Sequence, residues 1–247
     1  MLCSDSGAGY GVRPLAFSDR LTKPAMPPRS ATRLSLGYRF ERTQIRALGA
    51  GAVIAGIDEA GIGPWAGPVV AAAVCLDPKA IPAGLADSKI LSPLRRACLF
   101  EVIMASAQVG VGIADVERID RDNVLAANHW AMRQAVAKLP RRPSLALIDG
   151  VYAPIVGCPA QAIVDGDARV ASIAAASIIA KVTRDRLMAD LALCHPGYGF
   201  ERHMGYGTAE HRQSIERLGV TDCHRSSFKP IQTAILIAAE RKKMNSR

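Results

Sequence analysis

Apolar positions along this chain fall into short continuous runs that end in acidic residues. Residues 53–57 are apolar or small and lead into Asp58-Glu59, then into a bend where Gly61, Gly63, Pro64, Gly67 and Pro68 stop a strand from continuing. Residues 145–148 lead into Asp149, and Ile163-Val164 into Asp165-Gly166-Asp167. Each run reads as a buried strand. Between and after them the pattern predicts a strand over 69–76 and a helix opened by Ser92 as N-cap with Pro93 at its first position. It then predicts a strand over 108–114, a helix from 122 or 123 to 138 closed by Leu139-Pro140, and an Ala- and Ser-rich helix over 173–187 that must pack closely on a sheet. A glycine- and aromatic-rich loop follows at 196–207, then a helix over 209–218 capped by Thr208, and a terminal helix over 231–243. Strands and helices in this order make an α/β protein.

Three acid-tipped strands change the picture, because carboxylates gathered at one sheet edge repel one another unless divalent cations neutralise them. Composition adds modest bounds. With 247 residues, 49% hydrophobic but only 5% aromatic, the chain suits one domain whose sheet is covered by small-residue helices. Residues 1–45 are rich in Ser, Gly, Pro and Arg, with Pro14, Pro24, Pro27 and Pro28 breaking any period, so they are expected to be disordered or loosely attached. An organelle transit peptide is disfavoured by Asp5, Asp19 and the lack of an amphipathic stripe, and Met26 is an alternative start. The catalytic domain is placed at 46–230 and a C-terminal helix and tail at 231–247.

No run reaches the ~18 to 20 apolar residues of a membrane span, so no membrane association is expected. The six cysteines show no C-x-x-C spacing, which points to reduced thiols in a cytoplasmic protein. Cys194-His195 and Cys223-His224 do not predict zinc, since adjacent residues are poorly placed to share a tetrahedral ion. The net charge of +9 divides as +5 over residues 1–50, −2 over 51–167 and +6 over 168–247. An acidic middle followed by a basic final third suits a metal-dependent enzyme acting on a polyanion. Gly61-Ile62-Gly63 is not a dinucleotide turn, because the next glycine, Gly67, comes one position late and strand follows. Nor is it a phosphate loop, since Ile62 and Gly63 stand where Lys and Ser or Thr are needed.

Several segments taken together resemble the type 2 ribonuclease H family, ribonuclease HII: GIDEAGIGPWAGP (56–68), DSKILS (87–92), IDRDN (119–123), LIDG (147–150), GDARVASIAAASIIAKVTRD (166–185), PGYGFERHMGYGT (196–208) and HRSSF (224–228). The resemblance runs in order from about Tyr38 to Phe228. It implies an RNase H-like fold, a mixed five-stranded sheet flanked by helices with a C-terminal helical extension that helps hold the duplex. It also implies an endonuclease that leaves 5′-phosphomonoesters, cutting the RNA strand of RNA-DNA hybrids and the 5′ side of single ribonucleotides embedded in duplex DNA. The family's four acidic metal ligands fall on Asp58, Glu59, Asp149 and Asp167, with Mn2+ or Mg2+ as the implied cofactor. Asp167 is favoured over Asp165 because it sits in the family's Gly-Asp position.

Adjacent strand residues point to opposite faces, so Asp58 and Glu59 are both expected to reach one site only if the strand ends or bulges there. The glycine bend, usually Gly-Arg-Gly in the family, implies that Gly61, Ile62 and Gly63 bind substrate by recognising the ribose 2′-hydroxyl through backbone. Ile62 replaces the arginine, so ribonucleotide specificity is expected to persist with weaker affinity. Tyr206 matches the family's tyrosine that packs on the sugar beside the ribonucleotide, and Met204 stands where lysine is common. Lys89 is expected to contact phosphate; Lys181, Arg184 and Arg225 are phosphate contacts or ordinary surface charges. A monomer is expected. Two other readings are a type 3-like enzyme cutting only hybrids, which lacks support from a folded N-terminal binding domain, and a catalytically weakened nucleic-acid-binding relative, which the full acid quartet disfavours.

Overall fold

The computed structural model describes residues 36–245. Its centre is a five-stranded sheet in the order β3-β2-β1-β4-β5, formed by β1 (Ile54–Ala60), β2 (Val69–Leu76), β3 (Ala107–Ala114), β4 (Leu145–Asp149) and β5 (Ala160–Ile163). β1, β2 and β3 are antiparallel neighbours, while β1, β4 and β5 run parallel, so the sheet is mixed. This arrangement brings the acid-bearing ends of β1 and β4 side by side.

Both faces are covered, which explains why the strands read as unbroken apolar runs. Every residue of β2 is buried. Val70, Ala72, Val74 and Leu76 join one core with α2 (Pro93–Ser106) and α5 (Ala171–Cys194), whereas Val69, Ala71, Ala73 and Cys75 join a second with α4 (Val124–Ala137). α5 lies directly on β1. A Cβ at Gly56 would overlap the backbone of Ser172 and Ile173, so glycine there sets the distance between helix and sheet. That close approach is what the Ala- and Ser-rich composition of α5 is for. A third core, built from Met188, Tyr198, Phe200, Ile215, Cys223 and Ile231, joins the end of α5 to the short α6 (Phe200–His203), α7 (Ala209–Leu218) and α8 (Lys229–Asn245).

The predicted caps are present, with Ser92 accepting from Arg95 N at 3.3 Å and Thr208 from His211 N at 3.2 Å. Other boundaries moved for identifiable reasons. The single helix expected from 122 or 123 is preceded by α3 (Val116–Asp122), and the two are separated by Asn123 at φ 68, whose Oδ1 caps α4 through Leu125 N and Ala126 N. α5 runs to Cys194 rather than 187, because Met188 gives its last turns their own core to pack on. Residues 39–45, assigned above to the N-terminal extension, lie in α1 (Arg39–Leu48). Their anchoring is specific: the fully buried Glu41 accepts the Ser172 amide at 2.8 Å, placing a carboxylate at the positive N-terminus of α5, where Val170 supplies no side-chain cap. Residues 1–35, the rest of that extension, lie outside the described residues.

Candidate active site

Asp58 on β1, Asp149 at the end of β4 and Asp167 in a 3₁₀ turn (Gly166–Ala168) converge. One carboxylate oxygen from each lies within 4.8 Å of the others. Asp58 and Asp167 are each 5% exposed, and Asp149 is half-buried. Asp149 Oδ1 also accepts the Gly166 amide at 2.8 Å, so β4 holds the turn that carries Asp167. Asp165 is exposed at the start of that turn and lies outside the trio.

The strand neither ends nor bulges at the acid pair. β1 stays in register with β2 through Asp58↔Ala72 and Glu59↔Ala71. The two side chains therefore take opposite faces: Asp58 lies toward Ser177 of α5 and Glu59 toward Asn128 of α4, and each of these neighbours favours the charged carboxylate. Glu59 is accordingly absent from the tight trio. Glu59 is still coupled to it through charge. Burial, then repulsion from Asp149, raises the Glu59 pKa, while burial, then repulsion from Glu59, raises that of Asp58 well above the usual carboxylate range. Four carboxylates crowded in this way, with hard oxygen donors only, suit a hard divalent cation.

Lys89 stands at the edge of the acids. Its Nζ is 3.2 Å from Asp167 Oδ2, while its side chain remains 76% exposed. Burial pulls the ammonium down, but the hydrogen bond and charge of Asp167 outweigh it and the pKa is raised. The same pair does not depress Asp167, because burial acts first and Asp87 and Asp149 add to it, leaving a net raised pKa.

The glycine bend is held from beneath by two arginines that sequence reasoning left as phosphate contacts or surface charges. Both are buried, which rules out either role. Arg225 donates to Gly61 O at 2.6 Å, Ile62 O at 2.8 Å and Gly67 O at 2.8 Å; Arg184 donates to Pro68 O at 3.0 Å, Ala66 O at 3.3 Å and Met204 O at 3.1 Å. Burial, with the neighbouring Arg184 charge second, pulls the Arg225 pKa down to about 9. Carbonyl dipoles in the bend are the partners that make burying these charges tolerable. Gly61 sits at φ 101 with Arg184 filling the space a Cβ would need, so this position requires glycine. Gly63 does not share that conformation, and the space at its Cα faces the Tyr206 ring at 3.7 Å. Tyr206 is 47% exposed beside the bend, and Ile62 packs on the α4-side core. Lys181 pairs with Asp185 at 2.6 Å.

Behind Tyr206 lies a buried histidine layer. His211 shares a hydrogen bond with Tyr206 O at 2.9 Å, and its Nε2 is 3.1 Å from His224 Nε2. That contact needs one neutral nitrogen. Burial lowers both pKa values to about 4, with the His211 charge next for His224. Because the folded values lie below the unfolded one near 6.5, these histidines contribute stability above pH 6.5 and lose it as pH falls toward 4. Melting temperatures recorded across that window should fall, at a cost approaching about 3 kcal/mol per histidine, and His211→Gln should flatten the dependence. A wild-type curve flat from pH 7 to 4 would count against this assignment.

A mixed five-stranded sheet with helices on both faces and acids gathered at its strand ends is the ribonuclease H architecture, and it places the chain among nucleic-acid hydrolases. The sequence pattern of the family described as Ribonuclease HII matches residues 55–231. This chain belongs to the ribonuclease HII family and is an endonuclease of ribonuclease H type. It is 53% identical over 214 residues to the Ribonuclease HII of Azorhizobium caulinodans, covering 86% of this chain and 83% of that one. It is 58% identical over 179 residues to that of Ruegeria pomeroyi, covering 72% and 76%. Among solved structures, the ribonuclease H2 of Pyrococcus horikoshii superposes with a TM-score of 0.62 at 26% identity, covering 74% of this chain and 96% of that one.

Proposed function

We propose that this enzyme cuts duplex DNA on the 5′ side of an embedded ribonucleotide, and the RNA strand of RNA-DNA hybrids, using Mg2+ or Mn2+ held by Asp58, Asp149 and Asp167 with Glu59 at their edge. The observation that carries this reading is the carboxylate trio, whose Asp58 lies on the strand that runs into the glycine bend, with the Tyr206 ring on the side of Gly63, since a backbone loop and an aromatic ring together can read one sugar and its neighbour. Bound divalent cations would polarise the attacking water and neutralise the leaving oxygen. The chain's own contribution is positional. Asp149 fixes the turn bearing Asp167, and Arg225 and Arg184 preset the bend before substrate arrives. Water adds to phosphorus as the bond to the 3′ oxygen breaks, giving a 3′-hydroxyl upstream and a 5′-phosphate on the ribonucleotide. The protein acts as a monomer in the cytoplasm; among the described residues no helix is long and apolar enough to cross a membrane.

The deciding experiment is cleavage of three duplexes, one with a single ribonucleotide, one a full hybrid and one all DNA, with Mg2+, with Mn2+ and with chelator. Cutting of the first two only, at the ribonucleotide's 5′ side and only with metal, is the expected result. Cutting of the hybrid alone would favour a type 3-like specificity, and binding without cutting would favour a weakened relative.

Ile62→Arg tests the departure in the bend. A guanidinium there can pair with one more phosphate, so substrate binding should tighten and the log-log salt slope should steepen by about 0.9. Lost packing of the isoleucine should lower stability by about 1 kcal/mol. Binding measured across a salt series on both proteins checks this, and an unchanged slope would place position 62 away from the phosphates.

A further inference from the structure

A second group of metal-type donors lies at the far end of α5, apart from the carboxylate trio. His195 caps the C-terminus of that helix, and Asp222 and Cys223 belong to the turn between α7 and α8. An imidazole nitrogen, a carboxylate oxygen and the thiol sulfur all lie within 4.8 Å of one another. The adjacency argument against zinc applied within each Cys-His pair, whereas the fold combines one member of each pair with Asp222. His195 Nε2 stands 3.6 Å from Asp222 Oδ1. Ligands at about 2.0 to 2.3 Å around a tetrahedral ion are separated by roughly 3.3 to 3.8 Å, so this edge already has the required length. Cys223 is 5% exposed and forms the inner wall, His195 is partly buried, and the Asp222 side chain is 90% exposed and free to close over the outside. The thiol now contacts Thr221 Oγ1 at 2.9 Å, a contact an ion would replace.

We infer that His195, Asp222 and Cys223 form a binding site for a zinc-type divalent ion, with water in the fourth position. Thiolate and imidazole ligands select such an ion over Mg2+ or Mn2+, which the all-oxygen trio suits, so the two sites differ in metal class. Cys223 releases its thiol proton to solvent on binding. The effect of the ion is to brace. It ties the end of α5 to the turn that leads directly into Arg225, and His195 packs edge-on against Tyr198 and Phe200, whose rings flank the His224 and His211 layer behind Tyr206.

The test uses the full chain stripped with chelator and titrated with Co2+ as a spectroscopic probe. One equivalent should produce a thiolate-to-cobalt charge-transfer band that an equimolar amount of Zn2+ abolishes. The band should vanish in Cys223→Ser, and Co2+ affinity should weaken by about a hundredfold or more in His195→Ala. Asp149→Asn should leave both unchanged, which separates this site from the carboxylates. Zn2+ should also raise the melting temperature of the wild type and not of His195→Ala. The absence of a charge-transfer band, or a band that persists in Cys223→Ser, overturns the proposal. If Cys223→Ser does not fold, His195→Ala decides alone: unchanged Co2+ affinity there refutes the site.

Discussion

Asp149→Asn should give a folded protein that still binds duplex and does not cut it. The asparagine keeps an oxygen for the Gly166 amide, so the turn carrying Asp167 stays in place while one negative charge is lost from the trio. Weaker cation binding then forfeits several kcal/mol of transition-state stabilisation, and the cleavage rate should fall by about a thousandfold or more. Removing that charge also relieves the repulsion that raises the Glu59 pKa, so the metal-free variant should melt no lower than the wild type. Single-turnover cleavage at saturating metal, with duplex binding by fluorescence anisotropy and melting by calorimetry, separates these effects. Near-normal turnover would remove Asp149 from the site.

Arg225→Met should lose both stability and ribonucleotide-specific cleavage. The guanidinium is fully buried and satisfies the carbonyls of Gly61, Ile62 and Gly67, and methionine fills much of the volume while offering no donor. Three carbonyls left without a donor, at about 1 to 3 kcal/mol each, imply a loss of about 3 kcal/mol or more, or roughly 10 °C in melting temperature. Activity should disappear even at temperatures where the variant stays folded, because the bend loses its preset conformation while the carboxylates remain. The informative comparison is cleavage of a single embedded ribonucleotide at low temperature beside a calorimetric scan. A variant that melts within a degree or two of wild type and keeps its ribonucleotide preference would show that Arg225 does not hold the bend.

The acid-tipped strands, the Ser92 and Thr208 caps and the uniformly apolar β2 could all be read from the chain, because each depends on a residue and its near neighbours. A strand buried on both faces must be apolar throughout, and a helix start must satisfy its free amides locally. The ordered segments around Asp58, Asp149 and Asp167 were specific enough to indicate the family. Contacts between distant segments were not available in the same way. Alternation puts Asp58 and Glu59 on opposite faces wherever β1 remains paired, and whether it remains paired depends on β2 lying in register beside it. Nothing local marks Ser177 as the partner of Asp58 or Asn128 as that of Glu59; the packing of α5 and α4 on the sheet creates both pairs. Arg184 and Arg225 look like surface cations in sequence because burying an unpaired charge is costly. Only the folded bend, turning its carbonyls inward around them, makes their burial possible.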